Sequence, residues 1–172
     1  MILKYFCPDY RVKSIFDISP KWLKRNGYTK IVVDIDNTLL PRDKQVVGPR
    51  AMTWIRQMHQ SGINVALISN NSGDRIKAIT RQTNLGTVMR AMKPLPSAYK
   101  SIVKSMGGGK ILFIGDQLVT DVLGAKAQGH TVVWVESLGG KEHFITRCTR
   151  KLESLIASSL EKSGKMPKER VL

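Results

Sequence analysis

The sequence predicts an α/β fold built around a mainly parallel sheet. Three observations carry that expectation. Short runs rich in valine and isoleucine recur along the chain, as in "KIVVDI", "INVALIS", "KILFIG" and "HTVVWVE". Segments with helical spacing of their apolar residues lie between them. The runs are apolar at successive positions rather than at alternate ones, as strands covered by helices on both faces require.

Residues 1–30 come first. They mix Tyr5, Phe6, Tyr10, Ile15, Phe16, Trp22 and Leu23 with Lys4, Arg11, Lys13, Lys21, Lys24, Arg25 and Lys30. They are expected to form a basic, aromatic segment apart from the main domain at 31–162. "KIVVDI" is β-branched and reads as the first buried strand of that domain. "VVGPRAMTWIRQMHQSG" reads as a helix with Pro49 in its first turn and Gly62 just past its end; Trp54, beside Ile55 and Met58, belongs to its core-facing side. "INVALIS" is the next strand, and "SGDRIKAITRQTNLG" the next helix, closed by Asn84 and Gly86. "TVMRA" is a weak strand. "KPLPSAYKSIVKSMGGG" is a proline-punctuated turn into a helix that Gly107 stops; its glycines lack the downstream lysine and serine of a phosphate-binding loop. "KILFIG" follows, then "LVTDVLGAKAQG" as one helix ending at Gly129, then the strand "HTVVWVE". Phe144, Ile145, Cys148, Leu152, Leu155, Ile156 and Leu160 repeat at helical spacing and predict a C-terminal helix. Residues 163–172 are polar and expected to be a flexible tail.

Composition narrows the class. Of 172 residues, 42% are apolar and 24% charged, the profile of one globular domain rather than a disordered chain. The start "MILKYFCPDY" has no hydrophobic stretch of secretory type, and no apolar run approaches the ~20 residues that cross a bilayer. A cytoplasmic location is therefore expected. Cys7 and Cys148 are far apart, form no metal-type pair and are expected to be reduced thiols. His59, His130 and His143 show no metal-ligand spacing. The formal net charge of +15 implies a negative partner: nucleic acid, an anionic membrane surface or a phosphorylated substrate. No arginine-rich tract or aromatic-interleaved RNA signature accompanies it.

In parallel α/β sheets, ligands bind at the carboxyl ends of the strands. Four sets of polar residues fall there: Asp34 and Asp36 after "IVV", Ser69 and Asn70 after "INVALI", Lys93 after "TVMRAM", and Asp116 with Asp121 after "KILFIG". One such loop could be a turn former and nothing more; four in succession at one edge argue for a site. Three carboxylates drawn together repel and need a cation, and oxygen ligands of this kind suit Mg²⁺. A lysine and a serine hydroxyl supply donors for a phosphoryl oxygen. Aspartate is a competent nucleophile, and phosphate-monoester hydrolysis is slow enough uncatalysed to need such help.

The same residues resemble a known family. "DIDNTLL" is similar to the first motif of the haloacid dehalogenase (HAD) superfamily, "SNN" to the second, Lys93 in "KPLP" to the third and "GDQLVTD" to the fourth, in that order over residues 30–138. The resemblance implies a three-layer Rossmann-like fold and phosphoryl transfer. By the same resemblance, Asp34 would become the phosphoaspartate and help hold Mg²⁺, and Asp36 would be general acid and then base, its backbone carbonyl also ligating Mg²⁺. Thr38 would brace the motif. Ser69 and Asn70 would hold the phosphoryl oxygens, and Lys93 would offset charge. Asp116 would bind the metal with support from Asp121. Asp36 argues against a dehalogenase, which lacks that acid/base group. The intervals between motifs hold a helix and a strand each and leave no room for a cap domain.

The pattern "YRVKSIFDI", with "DIDNTLLP" and "GDQLVTDV", is further similar to a capless subfamily IIIA branch, the YqeG-type group related to phosphatidylglycerophosphate phosphatases. That resemblance implies removal of the terminal phosphate from an anionic phospholipid. The enzyme would then attach peripherally to the membrane, with residues 1–30 as contact and Tyr5, Phe6 and Trp22 as interfacial anchors. Two alternatives stand beside it. One is a capless phosphatase of a soluble metabolite, a phosphoprotein or a nucleic-acid end. The other is a basic RNA- or ribosome-binding protein on the same scaffold, which would bind RNA in a salt-sensitive way even with Asp34 replaced. A homo-oligomer, whose partner subunit would shield the open site, is compatible with either.

Overall fold

Six strands form one sheet: β1 (Tyr10–Val12), β2 (Lys30–Asp34), β3 (Asn64–Ile68), β4 (Gly86–Val88), β5 (Ile111–Gly115) and β6 (Thr131–Val135), in the spatial order β1-β6-β5-β2-β3-β4. Every neighbouring pair is parallel. The helices are α1 (Pro20–Arg25), α2 (Pro49–Gln60), α3 (Asp74–Thr83), α4 (Pro96–Ser105), α5 (Leu123–Ala127) and α6 (Phe144–Lys162). This computed structural model describes residues 2–139 and 144–172, without the side chains of residues 2, 144–148 and 150. His143 and the side chains of Phe144, Ile145 and Cys148 lie outside the described residues.

The apolar runs are buried on both faces because alternate residues feed two cores. Along β2, Ile31 and Val33 join the core that holds Trp54, Ile55 and Met58 of α2 and Ile76 and Ile79 of α3. Val32 points to the other face, with Ala98, Tyr99 and Ile102 of α4 and Ala125 of α5. The result is the expected three-layer, Rossmann-like arrangement. Pro49 opens α2, and Asn84 closes α3 in the left-handed conformation at φ 55°, both as read from the sequence. Among the described residues no cap domain is inserted in the connection 35–48 or between β3 and α4. The chain runs β2-β3-β4 towards one edge, then returns to place β5 on the opposite side of β2. A crevice therefore opens at the carboxyl end of β2, where the strand order reverses.

Three expectations need correction. Residues 1–30 are not an appendage. β1 pairs with β6 at the sheet edge, and Val12, Ile15, Ile18, Leu23 and Tyr28 are core residues. Trp22 packs edge-on to Tyr10 at 5.0 Å and stacks on Tyr28 at 6.1 Å, while Phe6 packs on the second core. Of the three proposed anchors, Tyr5 alone is exposed. The tail is also docked. Leu172 is buried, its N–H donates to the Asp17 carbonyl at 2.7 Å, and its own carbonyl accepts from Ser19 N at 2.7 Å. A single apolar residue after a polar stretch supplies that anchor. Finally, residues 118–129 are not one α-helix. Leu118–Val122 form a wide π turn before α5, with the amides of Asp121 and Val122 both donating to the Gln117 carbonyl.

Candidate active site

β2 ends at Asp34, and the chain turns sharply because Asn37 adopts φ 64°, a conformation asparagine tolerates better than most residues. The turn is held by Asn37 N to the Leu40 carbonyl at 2.8 Å and by Arg42 N to Asn37 Oδ1 at 3.0 Å. Asp34, Asp36, Thr38, Ser69, Lys93, Asp116 and Asp121 are all buried at this edge.

Asp34, Asp116 and Asp121 each present an oxygen within 4.8 Å of the others. Lys93 Nζ bonds to Asp34 Oδ1 and, at 2.6 Å, to Asp121 Oδ1. Lys93 thus bonds two of the three clustered carboxylates. Like charges ~4 Å apart repel by about 4 kcal/mol at an effective dielectric of 20. A bound cation would relieve that repulsion among Asp34, Asp116 and Asp121, and their all-oxygen donor set fits a hard divalent ion. Burial raises the Asp34 carboxyl well above its usual range; Lys93 opposes that, and Asp121 and Asp116 add to it. Burial pulls Lys93 down, but the Asp121 and Asp34 carboxylates outweigh it and leave the ammonium raised.

Glycine shapes this corner. A methyl group on Gly115 would overlap the Asp121 carboxylate, and one on Gly124 would overlap the Tyr99 ring. Asp121 Oδ2 also accepts from Gln117 N at 3.1 Å. Tyr99 donates to the Thr120 carbonyl at 2.7 Å, and burial together with Asp121 pushes its phenol up.

Asp36 belongs to a different network. Its carboxylate accepts from Ser69 Oγ at 3.1 Å, Asn71 Nδ2 at 2.8 Å and Arg75 Nη1 at 2.7 Å. It is not one of the three clustered carboxylates, so any metal contact by Asp36 would fall to its backbone. Ser69 is wholly buried and committed to Asp36 and to Asn71 N at 3.0 Å, so its hydroxyl does not face the open cleft as a phosphoryl donor would. Asn70 bonds the Lys93 backbone in both directions, at 2.7 and 3.2 Å, and so positions the lysine. Thr38 donates to Asp116 Oδ1 at 3.3 Å, a bracing contact rather than a substrate contact.

Asp34, Asp36, Asn70 and Lys93 line a cleft of about 190 Å³, with Arg42, Asn71, Gln117, Thr120 and Thr149 completing the wall. Those five, and Arg75 behind Asp36, were missed from the sequence. Asn71, the last residue of "SNN", and Gln117 and Thr120, inside "GDQLVTD", carried a signal there as members of those motifs. Thr149 places α6 beside the cleft, and Glu153 of the same helix accepts from Val119 N at 2.9 Å, holding the turn that carries Asp121.

The family model for haloacid dehalogenase-like hydrolases matches residues 10–129. A Bacillus subtilis protein named "Probable phosphatase YqeG" is 37% identical over 166 residues, covering 95% of this chain and 96% of that one. Phosphatidylglycerophosphate phosphatase 1 of Arabidopsis thaliana is 24% identical over 95% of this chain, which spans 51% of that protein. Among solved structures, the cobalt-bound deoxy-D-mannose-octulosonate 8-phosphate phosphatase of Haemophilus influenzae superposes with a TM-score of 0.51 at 16% identity, covering 81% of this chain and 93% of that one. The 3-deoxy-D-manno-octulosonate 8-phosphate phosphatase of Yersinia pestis gives 0.51 at 15% identity, with coverage of 78% and 83%. At such identities the structural likeness speaks for the fold.

Proposed function

The chain belongs to the haloacid dehalogenase-like hydrolase family, and on that premise we propose that it is a Mg²⁺-dependent phosphatase that converts phosphatidylglycerophosphate to phosphatidylglycerol. The observation that carries the phosphatase reading is the meeting of Asp34, Asp36, Lys93, Asp116 and Asp121, from the ends of three separate strands, at one buried edge of the sheet.

Asp34 attacks phosphorus. An Asp34 oxygen–phosphorus bond forms as the phosphorus–oxygen bond to the glycerol breaks, and Asp36 gives the departing alkoxide its proton. Asp36 then takes a proton from water as that water attacks the phosphoaspartate, which releases inorganic phosphate and restores Asp34. Lys93 offsets the charge that gathers on the phosphoryl oxygens. Asn71, Arg75 and Ser69 hold the Asp36 carboxylate in one orientation between the two half-reactions. Asp34, Asp116 and the Asp36 carbonyl, with Asp121 behind them, would hold the divalent ion, which supplies further charge neutralisation.

Three features support a lipid substrate. The curated relatives include a phosphatidylglycerophosphate phosphatase. Among the described residues no inserted cap covers the cleft to exclude a bulky molecule. Leu39, Leu40, Pro41, Val46 and Leu138, on loops at the same strand ends, line an apolar groove of about 440 Å³, and Val46 and Leu138 are exposed. Peripheral attachment to an anionic membrane accords with the net charge of +15 and with the absence, among the described residues, of any helix long and apolar enough to cross a membrane.

The test is phosphate release by purified protein from detergent-dispersed phosphatidylglycerophosphate beside a panel of soluble phosphomonoesters, with and without Mg²⁺, and with an Asp34→Asn control. Lipid turnover that needs both Mg²⁺ and Asp34 is expected. A strong preference for a soluble compound would defeat the lipid assignment. Loss of all turnover, with salt-sensitive RNA binding that survives in Asp34→Asn, would defeat the enzyme reading.

A further inference from the structure

Beside the catalytic cleft lies a second polar cavity of about 190 Å³, lined by Arg42, Asn71, Ser72, Arg75 and Ile76. Arg42 and Asn71 line both cavities, so the two are neighbours across a shared wall. Arg90 closes in from the next loop: its Nε donates to Ser72 Oγ at 3.0 Å and its N–H to the Asn71 carbonyl at 3.2 Å. Asp36 takes one guanidinium nitrogen of Arg75, while the Asp74 side chain is almost fully exposed and pairs with Lys77. Arg75 Nε donates to the Lys44 carbonyl at 2.8 Å, and its remaining nitrogen, Nη2, is buried with no hydrogen-bond partner among the described residues. A buried donor left unmade is costly, and arginine forks match the oxygens of a phosphate.

We propose that this cavity is a second anion subsite, which holds the phosphodiester of a substrate carrying two phosphates bridged by a short polyol. The assignment rests on the phosphatidylglycerophosphate reading and deepens it. The phosphomonoester meets Asp34 and Lys93 in the cleft, and the phosphodiester on the other side of the glycerol meets Arg42, Arg75 and Ser72. A phosphatase without a cap needs another source of selectivity, and a second phosphate contact across the shared wall supplies it.

The test uses four compounds that separate phosphate number from acyl chains: phosphatidylglycerophosphate, its deacylated headgroup, phosphatidate and glycerol 3-phosphate. The full-length protein should turn over the two-phosphate member of each pair with kcat/KM at least about tenfold higher, chiefly through KM. Arg42→Ala and Arg90→Ala should bring that ratio towards one, and Arg42→Lys should restore part of it; thermal melting checks that each variant is folded. Equal use of both members, or a preference unchanged by these variants, overturns the subsite, and turnover of both lipids without preference does so while leaving the lipid reading standing. A preference seen in the deacylated pair alone, with neither lipid hydrolysed, ends the lipid reading and keeps the subsite. If none of the four is hydrolysed, calorimetry of the deacylated headgroup on Asp34→Asn decides: affinity should drop about tenfold on adding Arg42→Ala, and no change overturns the proposal. Inorganic phosphate can reach the same chemistry. Noncompetitive inhibition by phosphate that Arg42→Ala abolishes, without any two-phosphate preference, assigns the cavity to the free ion and overturns the proposal.

Discussion

At Asp36 three donors converge on one carboxylate, and the nearest carboxylate cluster is left to Asp34, Asp116 and Asp121. In the proposed mechanism this division separates the group that would move protons from the groups that would gather the cation. Asp36→Asn should keep the fold and lower kcat by about 10²–10⁴, the usual worth of a positioned acid/base; steady-state kinetics and a melting curve measure the two effects separately. His130 makes a second prediction at this scale. Burial lowers its imidazole below the usual value, and the ring lies 4.9 Å from Phe113. The unfolded chain therefore binds a proton more readily than the folded one. Stability from this group is present above the ordinary histidine value of about 6.5 and is lost as pH falls towards the depressed folded value. Melting temperature should decline from pH 7 to pH 5.5, and His130→Phe should flatten that decline. The aspartates and Lys93 were legible in the sequence because each interrupts or follows an apolar run at a strand end. Arg75 was not: an arginine in the first turn of an amphipathic helix looks the same whether it meets solvent or reaches back to a buried carboxylate.

The elements act as holders for these groups. β2, β3 and β5 carry Asp34, Ser69 and Asp116 to one edge through parallel register, and that much follows from four apolar runs with polar residues at their ends. The wide turn Leu118–Val122 does not follow from them. "LVTDVLGAKAQG" has helical periodicity throughout, and only the tertiary demand on Asp121, caught between Lys93 and Gln117 N, opens its first turn. Gly115 makes room for it. Gly115→Ala should displace the Asp121 carboxylate, weaken Mg²⁺ binding in calorimetry and cut turnover at least tenfold, while the far-UV spectrum stays native. Normal metal affinity in that variant would show that Asp121 has slack that the packing does not suggest.

The molecule as a whole is one sheet with two cores, closed at its β1 edge by the chain's own C-terminal residues. Arg170 N donates to the Arg11 carbonyl beside the Leu172 anchor, where polar composition predicted a loose tail and the basic, aromatic character of residues 1–30 a separate N-terminal segment. Both expectations failed for one physical reason: a few apolar residues, Val12 and Ile15 at one end and Leu172 at the other, outweigh the polar residues around them once they reach a common core. Leu172→Ala should cost about 1–3 kcal/mol by denaturant titration and leave kcat near wild type, since the contact is with residues 17–19 and not with the cleft. The claim on which the function depends is transfer of the phosphoryl group to Asp34. Rapid quenching of the turning-over enzyme with Mg²⁺, followed by borohydride reduction and peptide mass spectrometry, reads that site directly. The account predicts reduction at residue 34 alone, lost without Mg²⁺ or substrate; substrate turnover with residue 34 unmodified, or undiminished in Asp34→Asn, would contradict it.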